Sequence, residues 1–146
     1  MLPQLKAIVA VNAASTTNGA TASGIIDTLG YEWATIDVIA STADVVSNSP
    51  TVVKLQESDV TNATSFADIA AFATPTIPNA NTAATAVVQN NFKFNVNCAA
   101  GMRKRYLQAV YSPRTTQTVT VVANLGRGQI APVTAAKANA MTLVEG

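Results

Sequence analysis

The sequence predicts an all-β fold, an antiparallel β-sandwich of jelly-roll or Greek-key type with an extended C-terminal arm. Three observations predict it. β-branched and aromatic residues recur with period two between clusters of Asn, Ser, Thr, Gly and Pro. About seven such runs follow one another, with turn signals every ~8–15 residues, the rhythm of a sandwich. The crossover helices that a parallel sheet needs are missing from the pattern.

Residues 4–12, QLKAIVAVN, form a first apolar strand. Residues 15–24, STTNGATASG, read as loop with an Asn18-Gly19 turn, and IIDT at 25–28 opens a second strand. In YEWATIDVIA, Ala34, Ile36, Val38 and Ala40 share one face while Trp33, Thr35 and Asp37 share the other, as in a strand with one buried side. STADVVSNSP turns the chain. In TVVKLQES, Val53 and Leu55 point one way and Lys54, Gln56 and Ser58 the other, completing a hairpin or sheet partner.

In the mixed segment 59–81, Ser65 is placed to cap a short helix over FADIAAF, ended by Pro75 and Pro78; a strand at FADI is the alternative. NFKFNVN, 91–97, is the cleanest alternation in the chain, with Phe92, Phe94 and Val96 inward. RKRYLQAVYS, 103–112, and TQTVTVVAN, 116–124, read as a closing pair joined by a turn at Pro113 and Arg114. Beyond Asn124 the period decays, apart from a short helical pattern in TAAKANAMTLV. The organisation expected is therefore a sandwich domain over 1–124 and a tail or arm over 125–146, the arm ordered against a neighbour.

Composition bears on function. The 146 residues suit one domain, large enough to bury about two thirds of the surface of the unfolded chain. Charged residues are only 12% against 49% hydrophobic, and the net charge is +1, so the surface is short of the charge that keeps proteins apart. Much of the exterior is expected to face other protein. The opening MLPQLKAIVAVNAAS is too brief and too weakly basic for a secretory signal, and no stretch approaches the ~18 apolar residues of a membrane span. A soluble product is expected.

Chemistry finds little material. There is no histidine, and Cys98 is the only cysteine, which reads as a small side chain at a strand end. The carboxylates Asp27, Glu32, Asp37, Asp44, Glu57, Asp59 and Asp68 could in principle supply a glycosidase pair, but aromatics for a sugar cleft are 5% of the chain. Glu57-Ser58-Asp59 resembles part of an oxygen-ligand loop for calcium without the rest of the pattern. Gly126 and Gly128 read as turn glycines rather than a phosphate loop, and Asn62-Ala63-Thr64 as a chance glycosylation match. No catalytic residue, cofactor or metal is expected.

The charges are polarised along the chain. Through residue 73, two basic residues face seven acidic ones, a net of −5; from 74 onward seven basic residues face one acidic, a net of +6. Either acidic and basic strands are neighbours within one sandwich, or they meet across subunits and set the register of an assembly. Nucleic acid is not expected as a partner: in a strand only Arg103 and Arg105 of Arg103-Lys104-Arg105 share a face, and no aromatic platform surrounds them. Tyr31 and Trp33, on one side of their strand, could stack a sugar ring, although a single Trp more often serves a core or an interface. The candidate subunit interface is thus Arg103, Arg105, Arg114 and Arg127 with Trp33 and Tyr31.

Three blocks, SGIIDTLGYEWATIDVIASTAD, TVVKLQESDVTNATSFADI and KRYLQAVYSPRTTQTVTVVANLGRGQIAPV, resemble small virion proteins of tailed bacteriophages and prophages. The marks are Asp27-Thr28-Leu29-Gly30-Tyr31, Leu55-Gln56-Glu57-Ser58-Asp59, Lys104-Arg105-Tyr106 and Ala131-Pro132-Val133. The resemblance implies a β-sandwich decoration or cement protein on the capsid exterior, made in the host cytoplasm, partnered by the major capsid protein and self-associating as a homotrimer; the candidate subunit interface would then also be the candidate capsid interface. It brings no catalytic residues. A neck, tail or head-fibre component and a carbohydrate-binding module are the alternative readings.

Overall fold

The computed structural model describes residues 5–17, 19–41, 50–73, 90–99, 101–127 and 142–145. Among these, nine strands follow in chain order: β1 (Leu5–Thr16), β2 (Ala22–Asp27), β3 (Trp33–Ala40), β4 (Val52–Ser58), β5 (Ala67–Asp68), β6 (Asn90–Asn97), β7 (Tyr106–Ser112), β8 (Gln117–Gly126) and β9 (Thr142–Glu145). They form two facing sheets, β1-β8-β3-β6-β9 and β2-β7-β4-β5. The first eight strands, ordered 1-8-3-6 against 2-7-4-5, are the two interlocked Greek keys of a jelly roll. Every pairing is antiparallel except that of β6 with β9.

The expected hairpin of β3 with β4 does not exist, because the two strands lie in opposite sheets; the expected closing pair β7 and β8 is split in the same way. The physical reason is simple. Both inner faces need the same alternating apolar row, so periodicity says which side of a strand is buried but not which sheet receives it.

The inner rows fit the alternation closely. Ala34, Ile36, Val38 and Ala40 of β3, Phe92, Phe94 and Val96 of β6, and Val119, Val121, Ala123 and Leu125 of β8 are buried from one sheet. Ala22 and Ile26 of β2, Val53 and Leu55 of β4, and Leu107, Ala109 and Tyr111 of β7 meet them from the other. Aromatic rings tie the layers: Phe92 and Tyr111 have centroids 6.2 Å apart, and Phe72 meets Phe94 edge-on at 5.8 Å. Tyr111 donates its hydroxyl to Gln117 Oε1 at 2.6 Å, so this buried phenol keeps a partner, and burial raises its pKa.

β1 and β2 are longer than the sequence implied. β1 reaches Thr16 through register shifts at Val9/Val11 and Val11/Ala14, with Ala13 at φ 44°, and those bulges break the period-two signal. β2 starts at Ala22, and Gly24 within it hides the strand. A Cβ there would run into the carbonyl oxygen of Ala10 on β1, so the position admits the close approach of two backbones. The loop is left with Gly19 at φ +80°; Asn18 and most of the expected turn after β3, residues 42–49, lie outside the described residues.

The helix expected over FADIAAF is absent. Asn62, not Ser65, caps a 3₁₀ turn at Ala63–Ser65 by accepting from Thr64 N–H; Ala67–Asp68 adds a short edge to β4; and a second 3₁₀ turn, Ala70–Phe72, drives Phe72 into the core. Ile69 and Phe72 both enter the core, but Ile69 N–H bonds the Leu55 carbonyl of β4, and that sheet-edge pairing takes the backbone a helix would need. The arm expected from residue 125 also changes: Leu125 is core, Gly126 completes β8, and Thr142–Glu145 pairs with β6 of the same chain where a helical pattern was expected. Residues 128–141 lie outside the described residues.

Candidate interaction surface

The strand registers gather many functional candidates at one end of the sandwich. β2 ends at Asp27 and β4 at Ser58, both opposite Tyr106 at the start of β7. β3 begins at Trp33, opposite Asn97 and Gly126, the last residues of β6 and β8. Hence the connections 28–32, 59–66 and 98–105 and residue 127 share this end, together with Tyr31, Trp33, Arg103, Arg105 and Arg127. Arg114 stands apart, exposed in the turn between β7 and β8 at the opposite end.

The positions of the arginines decide what they can do. Arg103-Lys104-Arg105 precedes β7 rather than lying in it, so the expected shared face of Arg103 and Arg105 does not form. Arg103 lies half-buried over the Phe72 ring, 5.9 Å from its centroid, and donates to the Met102 carbonyl. Arg105 grips Asp27 with both Nε and Nη2, at 2.9 and 2.8 Å, and covers the Tyr106 ring. These hydrogen bonds from Arg105, helped by the Leu29 N–H, hold the Asp27 carboxyl below its ordinary value of 3.8. Arg127 donates Nε to the Gly30 carbonyl at 2.7 Å, fixing the left-handed turn there at φ +85°.

Acidic groups nearby are engaged in the same way. Glu57 accepts from Lys104 N–H, Asp59 pairs with the Lys104 ammonium at 3.6 Å, and Ser58 Oγ accepts from Val60 N–H. One oxygen each of Glu57, Ser58 and Asp59 thus has a partner in its own chain. On the outer face of the larger sheet Asp37 and Lys93, directly opposite in β3 and β6, form a largely covered ion pair. Of the two readings of the polarised charge, the neighbouring-strand one is the arrangement seen for Asp27, Asp37 and Asp59.

Trp33 lies across Gly126, which has no side chain to obstruct it; Gly126 is thus the seat of a ring inside a strand, not a turn glycine. Tyr31 sits in the turn before β3 and packs on the core edge. Cys98, just past β6, also rests against the core, and burial pushes its thiol up to about 11. Such a thiol is a poor nucleophile. Among the described residues no group of three His, Cys, Asp or Glu side chains is placed to hold a metal.

Three residues outside the interface candidates complete this end. Leu29, Val60 and Met102 are 66%, 52% and 57% exposed, each on a different connection. Their turns are braced by Leu29 N–H to Asp27, Val60 N–H to Ser58 and Met102 N–H to the Ala99 carbonyl. The signal that could have found them is position: each lies within a few residues of a strand terminus at this end. The surface is thus apolar at its tips, with Asp27 paired to Arg105 and Asp59 to Lys104 between them, while Arg103 and Arg127 bond carbonyl oxygens. No protein-family model, curated protein or solved structure matches the chain.

Proposed function

We propose that this chain is a structural subunit of a tailed phage particle, a decoration or cement protein that binds the outer face of the capsid and reinforces it. The observation that carries the reading is the end bearing Leu29, Val60 and Met102, where braced apolar tips stand beside charged side chains already engaged within the chain. Pre-ordered apolar tips gain burial without losing further chain entropy, and paired charges leave little electrostatic selectivity for nucleic acid. The resemblance to phage virion proteins and the recurrence of jelly rolls in viral shells support the same reading by analogy.

Reinforcement by such a subunit works through repetition. A contact of the usual size buries on the order of 1,200–2,000 Å², and many symmetric copies turn modest affinity into a durable shell. The test is to add purified protein to heads of the encoding phage or prophage made without it, count the bound copies and image the particles. Hundreds of copies over the shell are expected, lost in a Leu29→Asp, Val60→Asp, Met102→Asp variant whose thermal midpoint is unchanged. Absence from purified virions refutes the reading; a few dozen copies at the neck or tail would move the subunit there.

A further inference from the structure

Among the described residues the two sheets leave four strands at their edges: β1, β9, β2 and β5. Edges invite pairing with another chain unless they are short, charged, bulged or covered. β5 has two residues and β9 four, while β1 has twelve. In β1 the bulges fall after Val9, so Leu5 to Val9 keeps regular register with Gly126 to Val122 of β8. Among the described residues nothing pairs with the other side of this stretch. It contains no proline, and Lys6 is its one charge.

We propose that the free edge of β1 from Leu5 to Val9 pairs with the same edge of a second copy, antiparallel about a two-fold axis at Ala7. The sequence of the edge is self-complementary in that register. Leu5 meets Val9 of the second copy, Ala7 meets Ala7, and Lys6 meets Ile8, so the two ammonium groups are never directly opposite. Leu5, Ala7 and Val9 lie on the outer face, in line with outer β8 residues Gly126, Asn124 and Val122. Leu5 and Val9 are 63% and 59% exposed, and pairing joins the two rows into one apolar stripe across a continuous ten-stranded sheet. Lys6 lies on the opposite face of the strand, near enough to Asp27 for its charge to be felt there, and does not guard this row.

Area sets the strength. Five residues a side bury roughly 300–500 Å² per copy, below the ~800 Å² per partner of a stable interface. The contact is therefore weak between free chains and becomes effective where copies are held close together.

Sedimentation equilibrium of the purified chain from ~10 μM to ~1 mM tests this. Wild type is expected to pass from monomer towards dimer over that range. Leu5→Glu with Val9→Glu sets like charges face to face and is expected to stay monomeric. Leu5→Lys with Val9→Glu sets Lys against Glu across the axis, whereas the same two residues lie ~13 Å apart within one strand; dimerisation is expected to return.

A wild type that stays monomeric overturns the proposal. So does a dimer indifferent to the double Glu variant, or a Lys/Glu variant that does not re-associate. Hydrogen exchange of wild type is independent of how any variant folds: edge-facing amides between residues 5 and 9 gain protection with concentration, and unchanged protection overturns it equally. The experiment uses the chain alone, so its outcome is separate from shell binding.

Discussion

The seat of Trp33 gives the sharpest test of the packing. A Cβ at residue 126 would meet Cζ2 and Cε2 of the indole well inside contact distance, and Nε1 at 3.0 Å. Gly126→Ala therefore forces the ring off the β8 backbone, an overpacking cost of about 1–3 kcal/mol. Against it stands the gain of Gly→Ala where the backbone is compatible, about 0.4–1 kcal/mol; Gly126 is not among the positive-φ residues. The net expected in the wild-type background is a loss of about 0–2.6 kcal/mol, a fall in Tm of up to roughly 8 °C for a chain of this size.

The double-mutant cycle isolates the cause. In a Trp33→Ala background the obstruction is gone, and Gly126→Ala is expected to be neutral or stabilising, giving a coupling of about 1–3 kcal/mol. Calorimetry or circular dichroism reads all four corners. Trp33 is the only tryptophan, so its emission also reports directly, shifting to the red as the ring lifts into water. Equal cost of Gly126→Ala in both backgrounds, or an unmoved emission maximum, refutes the ring seat.

Two further outcomes follow from the same end of the molecule. Because Arg105 holds Asp27 below 3.8, the stabilisation from this group is complete above about pH 4–5 and is lost as pH falls through the lowered value; Asp27→Asn should flatten the acid limb of urea-derived stability, and parallel wild-type and variant profiles would count against the pair. Cys98, raised to about 11 from 9.0, holds about 100-fold less thiolate at pH 8 than an ordinary thiol, and should react with a disulfide reagent about 10-fold slower, once the higher nucleophilicity of its thiolate is counted, until the chain unfolds; rapid labelling of the native protein would contradict its packing against the core.

What the sequence made legible is what period two encodes. NFKFNVN announced Phe92, Phe94 and Val96 as inward, and so they are, because one residue of slip would have put Lys93 in the core. The same row could not say that β3 and β4 face each other across the core instead of sharing a sheet. Bulges at Ala10 and Asn12–Ala13 interrupt the period in β1, and Ala22 and Gly24 offer no bulk to mark β2. Arg103, Arg105 and Arg127 stood out by charge, yet their partners Phe72, Asp27 and Gly30 are distant in sequence, so their work inside the chain was not readable. Leu29, Val60 and Met102 were silent because lone apolar residues in loops are ordinary. Only the strand registers bring them to one end.

The economy of charge links the two proposed contacts. With 12% charged residues and a net of +1, the chain has little long-range repulsion between copies, and Asp27, Asp37 and Asp59 are already paired internally. Neither the braced tips nor the β1 edge can then rely on steering by complementary fields. Specificity must come from short-range geometry: the spacing of three apolar tips on hydrogen-bonded turns, and the register imposed by backbone pairing along Leu5 to Val9. Contacts of that kind draw on apolar burial and on hydrogen bonds between main chains, neither of which is screened by salt as exposed ion pairs are. The two proposed contacts are therefore expected to hold as well in concentrated salt as in dilute buffer, whereas a charge-steered encounter would weaken as salt rises.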